Sequence, residues 1–173
     1  MATGRFEETV LPHLDAAFNY ARWLTRNEAE AEDVVQDACV RALRFLTSLR
    51  DDNARPWLFA IVRNTWYSRL SRRSHFTRGI GADDGDLDMP DAALDPEEQM
   101  LQQHTVTRVR SALEQLPVDF REVLVLREIE GLSYKEIAAV LNIPIGTVMS
   151  RIARGRERLM NILRLATNME ALR

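Results

Sequence analysis

Between Ala82 and Glu98 the chain carries six aspartates, two glutamates and no basic residue, and the wider stretch 79–98 holds three glycines and two prolines. So few apolar side chains cannot offset the entropy lost on ordering the backbone. The stretch therefore reads as a flexible acidic linker over residues 76–98. It leaves two small parts, 1–75 and 99–173, each of which must build its own core. With 46% hydrophobic residues, both have the material to do so. A single cysteine, Cys39, excludes an internal disulfide and a thiolate zinc site, so packing alone must hold the fold.

Both parts read as helical throughout, which predicts an all-α protein of two small helical domains. In the first part, Val35, Cys39, Ala42, Leu46 and Leu49 recur at steps of three and four, widened by Val34, Ala38 and Leu43. That pattern predicts a helix over 28–49. A helix over 6–24 precedes it, with Pro12 near its first turns, and another over 56–72 follows, opened by Pro56 and burying Leu58, Ile61, Val62 and Leu70. On the predicted inner stripe Cys39 is a small hydrophobe, with a redox-sensing thiol as the alternative. The second part reads as helices over 99–116, 118–130, 133–141 and 145–165, punctuated by Pro117, Gly131 and 142–144. Period-two alternation bounded by hairpin turns is missing, so strands are not expected.

A net charge of −3 conceals strong segregation. From Arg63 to Arg78 there are five arginines and no acid; from Gly146 to Arg158 four arginines face one glutamate. Local charge, not the average, governs what a surface attracts. Ser133 and Glu136 are spaced as a capping box, Ile137, Ala138, Val140 and Leu141 supply a buried side, and Pro144 can open the next helix. On that next helix Ile145, Val148, Ile152, Leu159 and Leu163 form an apolar stripe with Gly155 in the remaining step. Thr147, Ser150, Arg151, Arg154 and Arg158 lie opposite. Two helices joined by so short a turn, with short polar residues then arginines on the outer face, fit a helix-turn-helix whose second helix enters the major groove. A solvated basic face on an ordinary helical hairpin is the alternative.

Leu116-Pro117, Phe120-Arg121-Glu122-Val123, Gly131 to Ala138 and Gly146 to Arg151 together closely resemble domain four of extracytoplasmic-function (ECF) sigma factors. Ala31-Glu32-Asp33-Val34-Val35-Gln36-Asp37, Arg55-Pro56-Trp57-Leu58 and Ile61-Val62-Arg63-Asn64 resemble domain two. The resemblance implies a factor that binds core RNA polymerase and directs promoter-specific initiation, in a stress or envelope response and under an anti-sigma factor. It implies that Asp33, Gln36, Asp37 and Arg41 dock on the β′ clamp helices, and that the β flap is a second polymerase contact. Arg63, Asn64, Tyr67, Arg69, Arg72 and Arg73 become candidates for the minus-ten element, with Trp57 and Trp66 as core. Lys135, Thr147, Ser150, Arg151, Arg154 and Arg158 become candidates for the minus-thirty-five element. For the Asp33 to Arg41 face, a salt-bridged solvent surface is the alternative. Met149 departs from a common family pattern of Arg or Lys near the start of the recognition helix; methionine can touch thymine methyls but cannot bind phosphate. The acidic linker suits a basic path toward the polymerase cleft, and equally suits a simple spacer.

The three histidines, His13, His75 and His104, are far apart and no metal-ligand spacing appears, so no metal or cofactor is expected. No phosphate loop or nucleophile elbow occurs either, which predicts no enzyme activity and no small-molecule substrate. Without a signal sequence or a run near the roughly 20 apolar residues of a membrane span, a cytoplasmic protein without membrane insertion is expected. Two rivals remain at this point: a response-regulator type of DNA binder with an α/β receiver domain, and a helical adaptor whose basic faces bind an acidic partner.

Overall fold

The structure, a computed structural model, describes residues 2–50, 53–77 and 96–172. Most of the expected linker lies outside them. The described residues are helical with no strand, so the front half holds no receiver-type sheet among them. By contacts the chain falls into two compact units, Met1–Met89 with Lys135–Asn142, and Pro90–Tyr134 with Ile143–Arg173.

The first unit contains α1 (Ala2–Thr9), α2 (Leu14–Thr25), α3 (Glu28–Phe45) and α4 (Ala54–Thr77). The single helix expected over 6–24 is broken. Pro12 cannot donate a hydrogen bond and crowds the preceding turn, so Leu11–His13 tightens into a 3-10 turn between α1 and α2. Arg26 then adopts a left-handed conformation, φ 57°, and ends α2 with its N–H on the Arg22 carbonyl. Asn27 caps α3, its side-chain oxygen accepting from the Glu30 N–H at 2.9 Å.

The buried stripe is Ala31, Val34, Ala38 and Ala42 of α3, continued by Leu46 and Leu49, so five of the expected residues are buried and the stripe leans toward its Val34–Ala38 side. Val35 and Cys39 are only half-buried, and Leu43 is exposed. Three alanines have no side chain beyond Cβ, so they let α2 and α4 approach α3 closely, and close approach selects that face. On α4, Leu58 and Val62 are buried as expected, Ile61 is half-buried and Leu70 is exposed. At about 100° per residue, the face of Leu58, Val62, Thr65 and Trp66 continues to Arg69 and Arg73. Leu70 lies off it. The hydroxyl of fully buried Thr65 donates to the Ile61 carbonyl at 2.7 Å, so no polar atom is stranded there.

The second unit is built from α5 (Pro96–Glu114), α6 (Val118–Leu124) and α8 (Ile145–Ala171). The helix expected over 118–130 widens after Leu124 into a π-helical turn, Val125–Ile129. Gly131, at φ 68°, ends it in the left-handed region that a side chain would resist. The Leu132 N–H then bonds the Leu126 carbonyl at 3.0 Å. Gly155 is where α8 meets α6: a Cβ there would lie 3.3 Å from the Leu124 side chain and 3.4 Å from the Phe120 Cβ. Val148 and Ile152 are buried on the same face, whereas Ile145, expected on the stripe, is exposed at the first turn, beyond its reach. α7 (Tyr134–Leu141), which from Lys135 onward groups by contacts with the first unit, starts directly after Ser133 and buries Ile137, Val140 and Leu141. Asn142, φ 52°, ends it, and extended Pro144 precedes α8.

Candidate nucleic-acid interface

On α3, Asp33, Gln36 and Asp37 are exposed and Arg41 is half-buried. The two aspartates are not idle. Arg69 of α4 donates to the Asp37 carboxylate at 2.6 Å and reaches the Asp33 carboxylate at 3.8 Å. One turn further on, Arg73 pairs with Glu30. The stripe that is apolar in the core therefore turns ionic where α4 runs along the first turns of α3. Arg69, expected to meet promoter DNA, lies against both acids expected to meet polymerase, and Arg73 of the same DNA set is held by a third acid, Glu30.

The rest of the α4 set lies on other faces. Arg63 stacks its guanidinium over the Tyr67 ring, 4.6 Å from the centroid, while Asn64 and Arg72 are exposed. Trp66 is 7% exposed and belongs to the core, whereas Trp57 is half-buried. Burial raises the Cys39 thiol above its ordinary pKa, which keeps it protonated and weakly nucleophilic.

On α8, Arg151 reaches the Asp119 carboxylate at 3.7 Å and Arg158 lies over the Phe120 ring at 4.6 Å. Arg156 donates to Glu128 at 2.8 Å. These contacts tie α8 to α6 and to the π-turn. Arg154 is exposed and takes part in none of these contacts. Thr147 is half-buried, Ser150 is exposed with its hydroxyl on the Thr147 carbonyl at 3.2 Å, and Lys135 is exposed on α7. Sequence reading did not find the anchoring partners Phe120, Asp119, Glu128 and Glu30, and no local pattern marks them. Nor did it find Arg127, which donates to the Leu132 carbonyl at 2.8 Å and stacks on Tyr134 at 4.9 Å, pinning the loop that leads into α7.

Among the described residues no group of three or more His, Cys, Asp or Glu side chains is placed to hold a metal, and no single helix is long and apolar enough to cross a membrane. Residues 9–76 match sigma-70 region 2 and residues 107–159 match sigma-70, region 4. The ECF RNA polymerase sigma-E factor of Escherichia coli K12 is 39% identical over 144 residues, which cover 76% of this chain and 73% of that protein.

The chain belongs to the ECF sigma factors of the sigma-70 family.

The ECF RNA polymerase sigma factor SigE of Mycolicibacterium smegmatis is 34% identical over 158 residues, 91% of this chain but 61% of the relative's length. The solved sigma factor RpoE of Bartonella quintana, in complex with the anti-sigma factor NepR, has a TM-score of 0.71 at 31% identity, covering 92% of this chain and 96% of that one. In this ECF sigma factor α3 and all but the last residue of α4 lie within the region 2 match, and α6, α7 and the first half of α8 lie within region 4. The helix-turn-helix read from Ser133 onward is thus the region 4 element. Sigma factors are transcription initiation factors, which accords with a chain whose informative residues are surface cations and acids.

Proposed function

We propose that this chain binds core RNA polymerase and directs it to specific promoters, acting in the cytoplasm in a stress or envelope response. The observation that carries the reading is the pair of sigma-70 region matches in family order, each containing an exposed charged surface of the kind its role requires.

Asp33, Gln36, Asp37 and Arg41 on α3 dock on the β′ clamp helices. The two carboxylates are more than half exposed even while Arg69 holds them, so a partner can reach them. Stacked Arg63 and Tyr67, with Asn64 on the same side of α4, take the melted minus-ten strand, where base stacking contributes ~1–3 kcal/mol per base, and exposed Arg72 on another face adds positive charge. Arg69 and Arg73 contribute positive charge there only when their carboxylate partners are engaged elsewhere. Arg154 and Ser150 address the base edges of the minus-thirty-five element. Thr147, Arg151 and Arg158 flank them, the last two already braced on α6, and Lys135 of α7 contacts the same element. The exposed Leu165 and Met169, four residues apart on the later turns of α8, supply an apolar contact for the β flap. An anti-sigma factor, like the one bound to the Bartonella relative, holds the chain inactive, and the acidic stretch between the end of α4 at Thr77 and the start of α5 at Pro96, shorter at both ends than the 76–98 expected, joins the two regions.

Purified chain added to core polymerase with a promoter library should start transcripts at a defined subset of promoters. Transcription unchanged by its addition across the library would overturn the reading.

A further inference from the structure

The first turns of α8 present an apolar edge beside the cationic one. Ile145 is 49% exposed and Met149 53%; four residues apart, they stack along one side of the helix. Neither completes the core, to which α8 gives Val148, Ile152 and Gly155. Next to them come Gly146, Ser150 and Ala153, all small and exposed, and a Cβ added at Gly146 would meet nothing within 4 Å. Beyond those stands Arg154. Across its width the exposed face thus runs apolar, then small, then cationic.

A surface ordered in this way matches a ligand that is apolar at one edge, closely approachable in the middle and anionic at the other. A purely apolar protein patch would leave Arg154 unmatched, and a purely anionic one would leave Met149 against charge. In the major groove the C5 methyl of thymine projects beside the phosphate backbone, and it is the one apolar group among the base edges there. We propose that Met149, supported by Ile145, is a specificity-determining residue that reads thymine through its C5 methyl. The inference rests on α8 being the helix that enters the duplex. The unbranched thioether bends to follow a methyl group, and having no charge it leaves the hydrogen-bonding base edges and the phosphates to the arginine edge. The small residues between the two edges let the helix backbone come close enough for a side chain of methionine's length to touch the groove floor.

The test uses the holoenzyme and a duplex that it selects from a library randomised over the upstream element. Each thymine in the selected duplex is replaced in turn by deoxyuridine, which removes only the C5 methyl. The expected result is an affinity loss of about fourfold at one or two positions, the equivalent of one buried methyl group, and no change at the others. Met149→Ala should erase that preference, Met149→Leu should keep it, and Arg154→Ala should weaken all these duplexes alike while keeping it. The inference is overturned if thymine and deoxyuridine duplexes bind equally at every position, if the preference survives Met149→Ala, or if the selected sequence contains no thymine. A holoenzyme that selects no duplex through α8 at all would instead defeat the assignment of the recognition helix.

Discussion

α4 and α8 are both long, arginine-bearing helices, yet they use their arginines in opposite ways. On α4 the arginines that follow the buried stripe, Arg69 and Arg73, are held by Asp33, Asp37 and Glu30 of α3. On α8, Arg151, Arg156 and Arg158 brace the helix on α6 and the π-turn, and Arg154 alone among the arginines of 146–158 points outward unengaged. The difference teaches that counting arginines does not count nucleic-acid contacts. Ion pairs this exposed stabilise by only ~0–1 kcal/mol, so a polyanion or the polymerase can displace them. The acids of α3 and the cations of α4 are therefore exchangeable, whereas the bracing of α8 sets where Arg154 is aimed.

Four measurements bear on this contrast, and the most severe concerns the exchangeable side. Reversing Asp33 and Asp37 together to lysine should lower affinity for core polymerase by ~100-fold or more, since losing a charged partner across an interface costs ~2–5 kcal/mol. Helical content by circular dichroism should stay unchanged, and a polymerase pull-down as strong as that of the parent would refute the docking role of α3. On the braced side, Gly155→Val forces carbon atoms into the Leu124 contact, and overpacking of this kind costs ~1–3 kcal/mol. Urea unfolding of the second unit should shift by that amount, and duplex affinity should fall although Gly155 touches no DNA. Unshifted unfolding would mean that α8 is not held tightly against α6.

Arg154→Ala should then cost ~1–3 kcal/mol of duplex affinity and leave core binding intact; lost core affinity would show that the outward face meets protein instead. The smallest effect is expected between Asp37 and Arg69. A double-mutant cycle with Asp37→Asn and Arg69→Gln, read by urea unfolding, should give a coupling of ~0.2–1 kcal/mol. A value several times larger would mean that the pair is structural, and that polymerase cannot draw the carboxylate away.

Much of the local structure was legible because its causes are local. Asn142 and Pro144 end one helix and open the next within three residues, and Gly131 terminates the π-turn through its own φ. Pro12 was visible as well, but its consequence was underestimated: placed near a helix start it was tolerable in principle, and instead it divides the helix. The candidate sites were legible by residue type and only partly by direction. Arg63, Asn64 and Tyr67 remain together on one side of α4, and Arg154 faces outward as periodicity suggested. Leu70 and Ile145, assigned to buried stripes by the same periodicity, are exposed, because a stripe drawn from spacing alone does not know where its packing partner ends.

From sequence alone came the two helical parts, the acidic stretch between them, the helix-turn-helix and the resemblance to sigma factors, all of which depend on residues within a few turns of one another. Only the tertiary structure decided which arginines are engaged, because their partners stand far off along the chain. Arg69 meets Asp37, 32 residues away, and Arg156 meets Glu128, 28 residues away. A rotation of one residue, about 100° on a helix, separates a cation facing a carboxylate from one facing solvent. That choice is made by close packing at small residues such as Ala31, Ala38 and Gly155, a many-body fit that no spacing rule contains.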